Sequence, residues 1–215
     1  MRVSPSKENI LKKIRKALTE STPLPFSNSE GSQPVFVQSD EDLALVFAEA
    51  FSALQGKFAF CLDEKELAAQ LKALIAERKW ESIYVRDRKI REQLTAMGIP
   101  ALAPDSGMDT LKACDASVTG CECLIARTGT MVLSAGQESG RTTSVYAPVH
   151  ICIASAGQVV YDVRDGLKYI KDKYGDKIPS LVSFATGPSR TADIEKTLVV
   201  GVHGPKEVYC FLVNS

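Results

Sequence analysis

Residues 57–97 read KFAFCL-DEKELAAQLKALIAERKWE-SIYV-RD-RKIREQLTAM. The apolar runs Lys57–Leu62 and Ser82–Val85 have the length and composition of buried strands. Glu64–Arg78 and Arg88–Met97 repeat apolar residues at helical spacing, so both are predicted to be helices. Strands that alternate with helices of about 10–15 residues are typical of βαβ units. We therefore predict an α/β fold with a mostly parallel sheet flanked by helices.

Similar elements are predicted on both sides of this stretch. Glu41–Leu54 reads as a helix, and from Val118 onward the apolar runs become shorter and are punctuated by Gly, Thr and Ser. A tight turn at Arg127-Thr128-Gly129 is predicted to join two strands of this half. Its predicted elements are the strands Cys121–Ala126, Thr130–Ser134, Val149–Ala154, Leu181–Thr186 and Glu207–Val213 and the helix Asp162–Tyr174.

The N-terminal segment is predicted to be an extension of the domain. Ser6–Glu20 has apolar residues at helical spacing with lysines and arginines between them, and Ser21–Pro34 is rich in Ser, Pro and Asn. We expect residues 1–34 to form a helix and linker and residues 35–215 to form the α/β domain. The helix would pack on a partner or a second subunit, or else on its own domain.

Composition and charge narrow the class of protein. Apolar residues make up 45% of the 215 residues and charged residues 24%, a balance that allows a buried core. The 26 basic and 26 acidic residues cancel, so the chain as a whole has no basic field for nucleic acid or anionic lipid. No apolar run approaches about 18 residues, and the charges throughout Met1–Glu20 argue against a secretory signal. We expect a cytoplasmic protein without a membrane span that binds no nucleic acid.

The six cysteines are predicted to be structural. No Cys-x-x-Cys pair occurs, and the tight pair Cys121-x-Cys123 lies in an apolar strand. A zinc or iron–sulfur site needs about four ligands at usable spacing. We therefore expect no metal and no cofactor on this chain.

The segment after the predicted strand Leu181–Thr186 is a candidate anion site, because it reads as the start of a helix. Helix starts present unpaired N–H groups and partial positive charge, and in open α/β sheets ligands collect beside them at the carboxyl ends of strands. The alternative is an ordinary capped helix with Arg190 on its surface. The candidate binding residues are Gly187 for close approach, the hydroxyls of Ser189 and Thr191, and the guanidinium of Arg190.

Thr128-Gly129-Thr130 is a second candidate wall of the site, together with Arg141 in the loop that follows. A glycine flanked by hydroxyls can present N–H groups to an anion, although such turns are also common structural features.

The candidate catalytic side chains are His203, Asp193 and Glu195. His203 lies in Val-His-Gly-Pro before the last strand and could act as proton donor or base. His150 begins an apolar strand, and a hydrogen-bonded structural histidine is the alternative for both. Two histidines without a carboxylate at suitable spacing do not make a metal site.

Five blocks in Val118–Val213 occur in an order and spacing that resemble the lactate-utilisation protein C family, the proteins of the LUD domain. The resemblance implies a fold like that of ribose-phosphate isomerase, glucosamine-phosphate deaminase and CoA-transferase. It also implies a role beside two iron–sulfur partner proteins in oxidising L-lactate to pyruvate. The family's component that this chain resembles carries no iron–sulfur cluster of its own. The blocks are Val118–Gly120, Arg127–Leu133, Ala147–Ile151, Thr186–Glu195 and Gly201–Pro205.

One position departs from the family pattern. The family often has an acidic residue before Thr-Gly-Thr, and this chain has Arg127, which reverses the charge beside the second wall.

Three hypotheses follow. The chain is a subunit of an L-lactate-oxidising system that binds a small carboxylate or phosphate, a stand-alone enzyme of the isomerase, deaminase or CoA-transferase type, or a structural assembly protein. Homo-oligomer formation is compatible with each.

Overall fold

A computed structural model describes residues 5–19, 41–102, 107–191 and 199–214. The chain divides into two compact units, Met1–Ser39 and Asp40–Ser215. The described part of the first unit is helix α1, Pro5–Thr19, which confirms the predicted helix. The predicted linker Ser21–Pro34 lies outside the described residues, and the domain boundary after residue 34 stays a prediction. Among the described residues, no helix is long and apolar enough to cross a membrane.

The described residues of the second unit form six helices, and aspartates cap several of them. Asp63 accepts a hydrogen bond from the Glu66 amide, and Asp87 accepts one from the Ile90 amide. Each carboxylate satisfies a backbone donor that has no partner inside the helix. The helices are α2 Leu43–Ala53, α3 Glu64–Arg78, α4 Arg88–Ala96, α5 Gly107–Ala113, α6 Thr143–Tyr146 and α7 Val163–Tyr174.

Five strands form the central sheet, and every neighbouring pair in it is parallel. The predicted parallel sheet flanked by helices is therefore confirmed. One of its strands, Ala116–Thr119, was not predicted, because four residues that include Ser117 and Thr119 give too short an apolar signal. In order across the sheet the strands are β1 Lys57–Cys61, β11 Glu207–Val213, β6 Val149–Ser155, β3 Ala116–Thr119 and β2 Ile83–Val85.

A second, smaller sheet follows β3 along the chain. Its central pair is antiparallel, as the predicted turn at residues 127–129 requires, and the edge strands add on either side. A separate two-stranded ribbon lies near the end of the chain. The small sheet contains β7 Val159–Val160, β4 Cys123–Ile125, β5 Thr130–Ser134 and β8 Val182–Ala185, and the ribbon contains β9 Arg190–Thr191 and β10 Val199–Val200.

Both faces of the parallel sheet are buried. Helices α3 and α4 cover one face through leucines such as Leu67, Leu71 and Leu94. On the other face Phe47 and Phe51 of α2 pack together with side chains of the small sheet. This arrangement explains why the strands of the parallel sheet read as continuous apolar runs.

Gly129 makes the closest contact between α2 and the small sheet. It has φ +58°, and a Cβ atom at this position would lie 2.4 Å from the Phe51 nitrogen. The neighbouring atoms belong to the backbone of α2, so they cannot move aside as a flexible side chain would. Gly129 is therefore required for packing, independently of any ligand.

We predict that Gly129→Ala lowers the free energy of unfolding by about 2 kcal/mol more than Gly98→Ala does. Gly98 also has a positive φ of +74°, but its Cβ would meet only the Lys72 ammonium at 3.5 Å. The control thus contains the backbone strain, about 1–2 kcal/mol, without the steric clash. Urea denaturation of both variants measures the difference, and equal losses would contradict the packing argument.

Candidate functional site

Two of the predicted binding segments meet where β5 pairs with β8. The Thr128 and Thr130 hydroxyl oxygens are 2.7 Å apart, and the Thr130 and Thr186 hydroxyl oxygens are 2.8 Å apart. The three side chains form a chain of hydroxyls that runs from half-buried Thr128 through buried Thr130 to exposed Thr186. The structure thus places residues 128–130 beside the segment that follows β8, and their role as a wall of a binding site stays a prediction.

Gly187 and Arg190 both approach Leu54, the residue that ends α2. Gly187 has φ +81°, and a Cβ there would lie 2.8 Å from the Leu54 carbonyl oxygen. The Arg190 guanidinium donates a hydrogen bond to the same oxygen. A basic side chain on a terminal carbonyl stabilises the negative end of the helix. Arg190 therefore has a structural partner, while its side chain remains exposed.

The loop that carries His203 lies against Ser189. The Ser189 amide donates to the Pro205 carbonyl at 2.9 Å, and the Gly201 amide donates to the Ser189 carbonyl at 3.0 Å. The His203 side chain is exposed. We call the polar groups gathered in this region the amino-edge cluster: Thr128, Thr130, Thr186, Ser189, Arg190 and His203.

The name reflects where the cluster lies in the parallel sheet. Leu54 stands three residues before β1, and Pro205 stands two residues before β11. The cluster is thus beside the amino ends of the parallel strands. The segment after β8 was expected at their carboxyl ends and lies instead near their amino ends, because β8 belongs to the small mixed sheet and not to the parallel sheet.

The expected helix start after Gly187 was also wrong. Arg190 and Thr191 form strand β9, which pairs with Val199 and Val200 of β10. The Ser189 amide is used within the backbone, so it does not form part of a row of free N–H groups. Asp193 and Glu195 lie outside the described residues.

Arg141 does not join the amino-edge cluster. Its guanidinium donates to the Ser180 hydroxyl, just before β8 begins. Thr186 of the cluster directly follows the last residue of β8, so Arg141 and the cluster lie at opposite ends of this strand. The prediction that paired Arg141 with residues 128–130 was therefore wrong. Arg141 is close to residues 128–130 along the chain, but the length of strand β5, Thr130–Ser134, separates them in the fold.

Arg127 is part of an ion pair. Its guanidinium lies 2.7 Å from Asp162, the N-cap residue of α7, and its amide donates to the Tyr161 carbonyl. The hydrogen bond from Arg127 is the main cause that lowers the pKa of Asp162. The positive charge that departs from the family pattern thus holds α7 to the turn before Gly129.

A second group of polar side chains is buried at and beside the strands β3 and β6 of the parallel sheet. The His150 Nε2 and the Thr119 hydroxyl are 2.8 Å apart, so two of the blocks quoted from the sequence meet here. Serine and threonine hydroxyls continue the group by donating to backbone carbonyls. We call it the polar seam, and its members are Ser117, Thr119, Ser139, Thr143 and His150, none more than 4% exposed.

Burial fixes the protonation state of His150. Removal from water lowers its pKa from 6.5 to about 4, so the ring is neutral at physiological pH. The residue is 1% exposed. This geometry agrees with the structural alternative for His150.

Glu122 is a buried carboxylate that the sequence analysis missed. Burial by itself would raise its pKa, but hydrogen bonds from Lys173, Ser134 and Tyr174 outweigh burial and hold the pKa below its ordinary value. The donors lie at 2.5–2.7 Å. The signal in the sequence was an acidic residue inside the apolar run Cys121–Ala126, which implies a buried partner.

The six cysteines are free and buried. Burial raises the pKa of Cys61 and of Cys114 to about 11, so both are protonated thiols at neutral pH. Among the residues that the structure describes, no three His, Cys, Asp or Glu side chains are grouped to hold a metal ion.

The fold and the cluster define an α/β protein in which a parallel sheet and a small mixed sheet are joined by α2, with exposed polar groups at the amino edge. The chain belongs to the LUD domain family, whose model matches residues 44–213. The family predicted from the five sequence blocks is thereby confirmed.

Individual relatives agree with this assignment. The chain is 38% identical over 117 residues to "Lactate utilization protein C" of Bacillus licheniformis, covering 54% of this chain and 49% of the relative. It is 33% identical over 136 residues to the protein of that name from Deinococcus radiodurans, covering 58% and 63%. The chain thus spans about half the length of the curated relatives it matches.

A solved structure shares the fold. It is the crystal structure of a DUF162 family protein from Deinococcus radiodurans, with a TM-score of 0.62 and 20% sequence identity. The alignment covers 82% of this chain and 99% of the other.

We predict that acid lowers stability through His150. Its folded pKa of about 4 lies below the unfolded value of 6.5, so as the pH falls through 6.5 the unfolded chain gains a proton that the folded chain does not. Between about pH 7.5 and about pH 5 the free energy of unfolding should fall by about 2 kcal/mol from this group.

Urea denaturation at the two pH values, on the wild type and two variants, tests the assignment. His150→Gln should lose most of the fall, while His203→Gln should keep it because His203 is exposed. The chain contains only these two histidines, so the comparison is complete. A fall of wild-type size in His150→Gln would contradict it.

Proposed function

We propose that this chain is a subunit of an iron–sulfur-dependent L-lactate oxidation system and binds a small carboxylate at the amino-edge cluster. Membership of the LUD domain family, together with relatives named lactate utilization protein C, carries the proposal. The electron-transferring groups would reside on iron–sulfur partner proteins and not on this chain. Its place of action would be the cytoplasm.

The chemistry of the cluster suits a carboxylate. Arg190 offers a planar fork of donors, and among the described residues one of them is directed to the Leu54 carbonyl. The hydroxyls of Thr128, Thr130 and Thr186 can direct a donor toward the same ligand as Arg190, since each hydroxyl both gives and accepts a hydrogen bond. His203 lies in the adjacent loop and would supply a further donor. A phosphate-bearing ligand would satisfy the same groups.

The state of the buried acid–base groups favours a binding subunit over a stand-alone isomerase, deaminase or transferase. Glu122 is held ionised and His150 is held neutral, and both are enclosed. A catalytic acid or base instead needs a pKa near the working pH and access to substrate. A purely structural assembly protein remains the other alternative, which ligand titration separates from the proposal.

We expect Arg190→Ala to weaken binding of L-lactate or pyruvate by about 10- to 100-fold, because a charge-assisted hydrogen bond contributes about 1.5–3 kcal/mol. Arg190→Lys should restore only part, since an ammonium lacks the planar fork. Isothermal titration calorimetry of the folded variants measures both.

The matched control is Arg141→Ala. It removes another exposed arginine with a neutral hydrogen-bond partner, at the opposite end of β8. Its affinity should equal that of the wild type. Wild-type affinity in Arg190→Ala would remove the amino-edge cluster as the binding site.

The cellular role is tested by deleting the gene for this chain. Growth on L-lactate should be lost and growth on pyruvate kept, because the proposed step precedes pyruvate. Normal growth of the deletion strain on L-lactate would contradict the proposed role.

The proposal that this chain carries no redox group of its own is also testable. We predict less than about 0.1 iron or zinc per chain after anaerobic purification, because structural and catalytic sites for these metals require grouped thiolate, imidazole or carboxylate ligands. Elemental analysis measures the ratio. A value near one metal per chain would show that a cofactor resides here.

A further inference from the structure

The charges of the sequence are unevenly distributed even though their sum is zero. Of the 26 basic residues, six lie in Met1–Ser39, against three of the 26 acidic residues. Five of these six basic residues are in helix α1, which has one acidic residue, Glu8. The first unit is therefore locally cationic, although the whole chain has no basic field.

Helix α1 also presents an apolar stripe. With 3.6 residues per turn, Ile10, Leu11 and Ile14 lie within about 100° of one another around the helix axis. Their side chains are 58%, 36% and 49% exposed. A 15-residue helix is marginally stable on its own in water, and exposed apolar area adds to that cost. We therefore expect another surface to cover the stripe.

The position of the basic residues indicates what kind of surface this is. Lys13 and Arg15 precede and follow Ile14, so they flank the apolar stripe at about 100° on either side. Lys12 and Lys16 extend the positive charge over the opposite face, and all four side chains are exposed. A helix lying in the plane of a bilayer places its apolar side among the acyl chains and its flanking cations at the headgroups.

We propose that α1 is a docking helix for an anionic lipid surface, with the stripe Ile10, Leu11 and Ile14 inserted and Lys13 and Arg15 paired with headgroups. Charge complementarity favours lipid over a groove on a protein, because cations on both sides of the stripe match a continuous plane of anionic groups. The contact would be peripheral and reversible. The inference does not depend on the proposed lactate function.

Vesicle co-sedimentation of the full chain tests the proposal. Vesicles of phosphatidylglycerol and phosphatidylcholine in about equal parts should bind the protein, and pure phosphatidylcholine vesicles should bind it at least about tenfold more weakly. High salt should reduce the binding, because it screens the headgroup charge. Absence of binding to the anionic vesicles, or equal binding to both kinds, would overturn the proposal.

Two pairs of variants locate the contact. Lys13→Ala with Arg15→Ala should weaken binding about tenfold or more, whereas Lys168→Ala with Lys171→Ala, which removes two exposed lysines from α7, should leave it unchanged. Ile10→Ser with Ile14→Ser should also abolish binding. Equal effects of the two basic pairs would show attraction by general charge and overturn the assignment to α1.

The competing occupant is a second copy of the chain. Sedimentation velocity without lipid should give the same oligomeric state for the wild type and for Ile10→Ser with Ile14→Ser. A wild-type oligomer that this double variant dissociates would assign the stripe to self-association and overturn the lipid proposal.

Discussion

The backbone of α2 lies directly against Gly129, and this contact joins the two sheets. The last turn of α2 comes so close to the turn between β4 and β5 that no Cβ fits between them. Phe47 and Phe51, with ring centroids 5.3 Å apart, then fill the space between the small sheet and the parallel sheet. The position of the small sheet, and with it the amino-edge cluster, depends on this approach.

The buried titratable side chains Glu122 and His150 have surroundings that fix their charge. Glu122 remains ionised because Lys173, Ser134 and Tyr174 replace the water it has lost. His150 remains neutral because burial disfavours the charged ring and lowers its pKa, and its hydrogen-bond partner Thr119 is itself neutral. The same two residue types would be acid–base candidates on a surface, so burial and partners decide their role.

The five blocks that resemble the LUD family separate into two places in the fold. Thr119 and His150 meet in the polar seam, while the blocks around Thr130, Arg190 and His203 meet near the end of α2. Part of this clustering has a structural cause, since Gly129 and Gly187 are required by the close approach of α2. Arg190 is exposed but donates to the Leu54 carbonyl at the end of α2, so the exposed His203 is the member whose position these contacts do not explain.

The sequence by itself determined the longer helices, most of the described strands and the parallel sheet, because periodicity and apolar runs are local signals, whereas the short helices α5 and α6 were not predicted. Glu64–Arg78 and Glu207–Val213 have the bounds that their patterns predict. Only the tertiary structure decided which loops meet. Pairing of β5 with β8 brought Thr130 to Thr186 and separated Arg141, and formation of β9 replaced the expected helix start. Strand pairing here joins residues 56 positions apart, and no local pattern encodes which edge of a sheet a loop will reach.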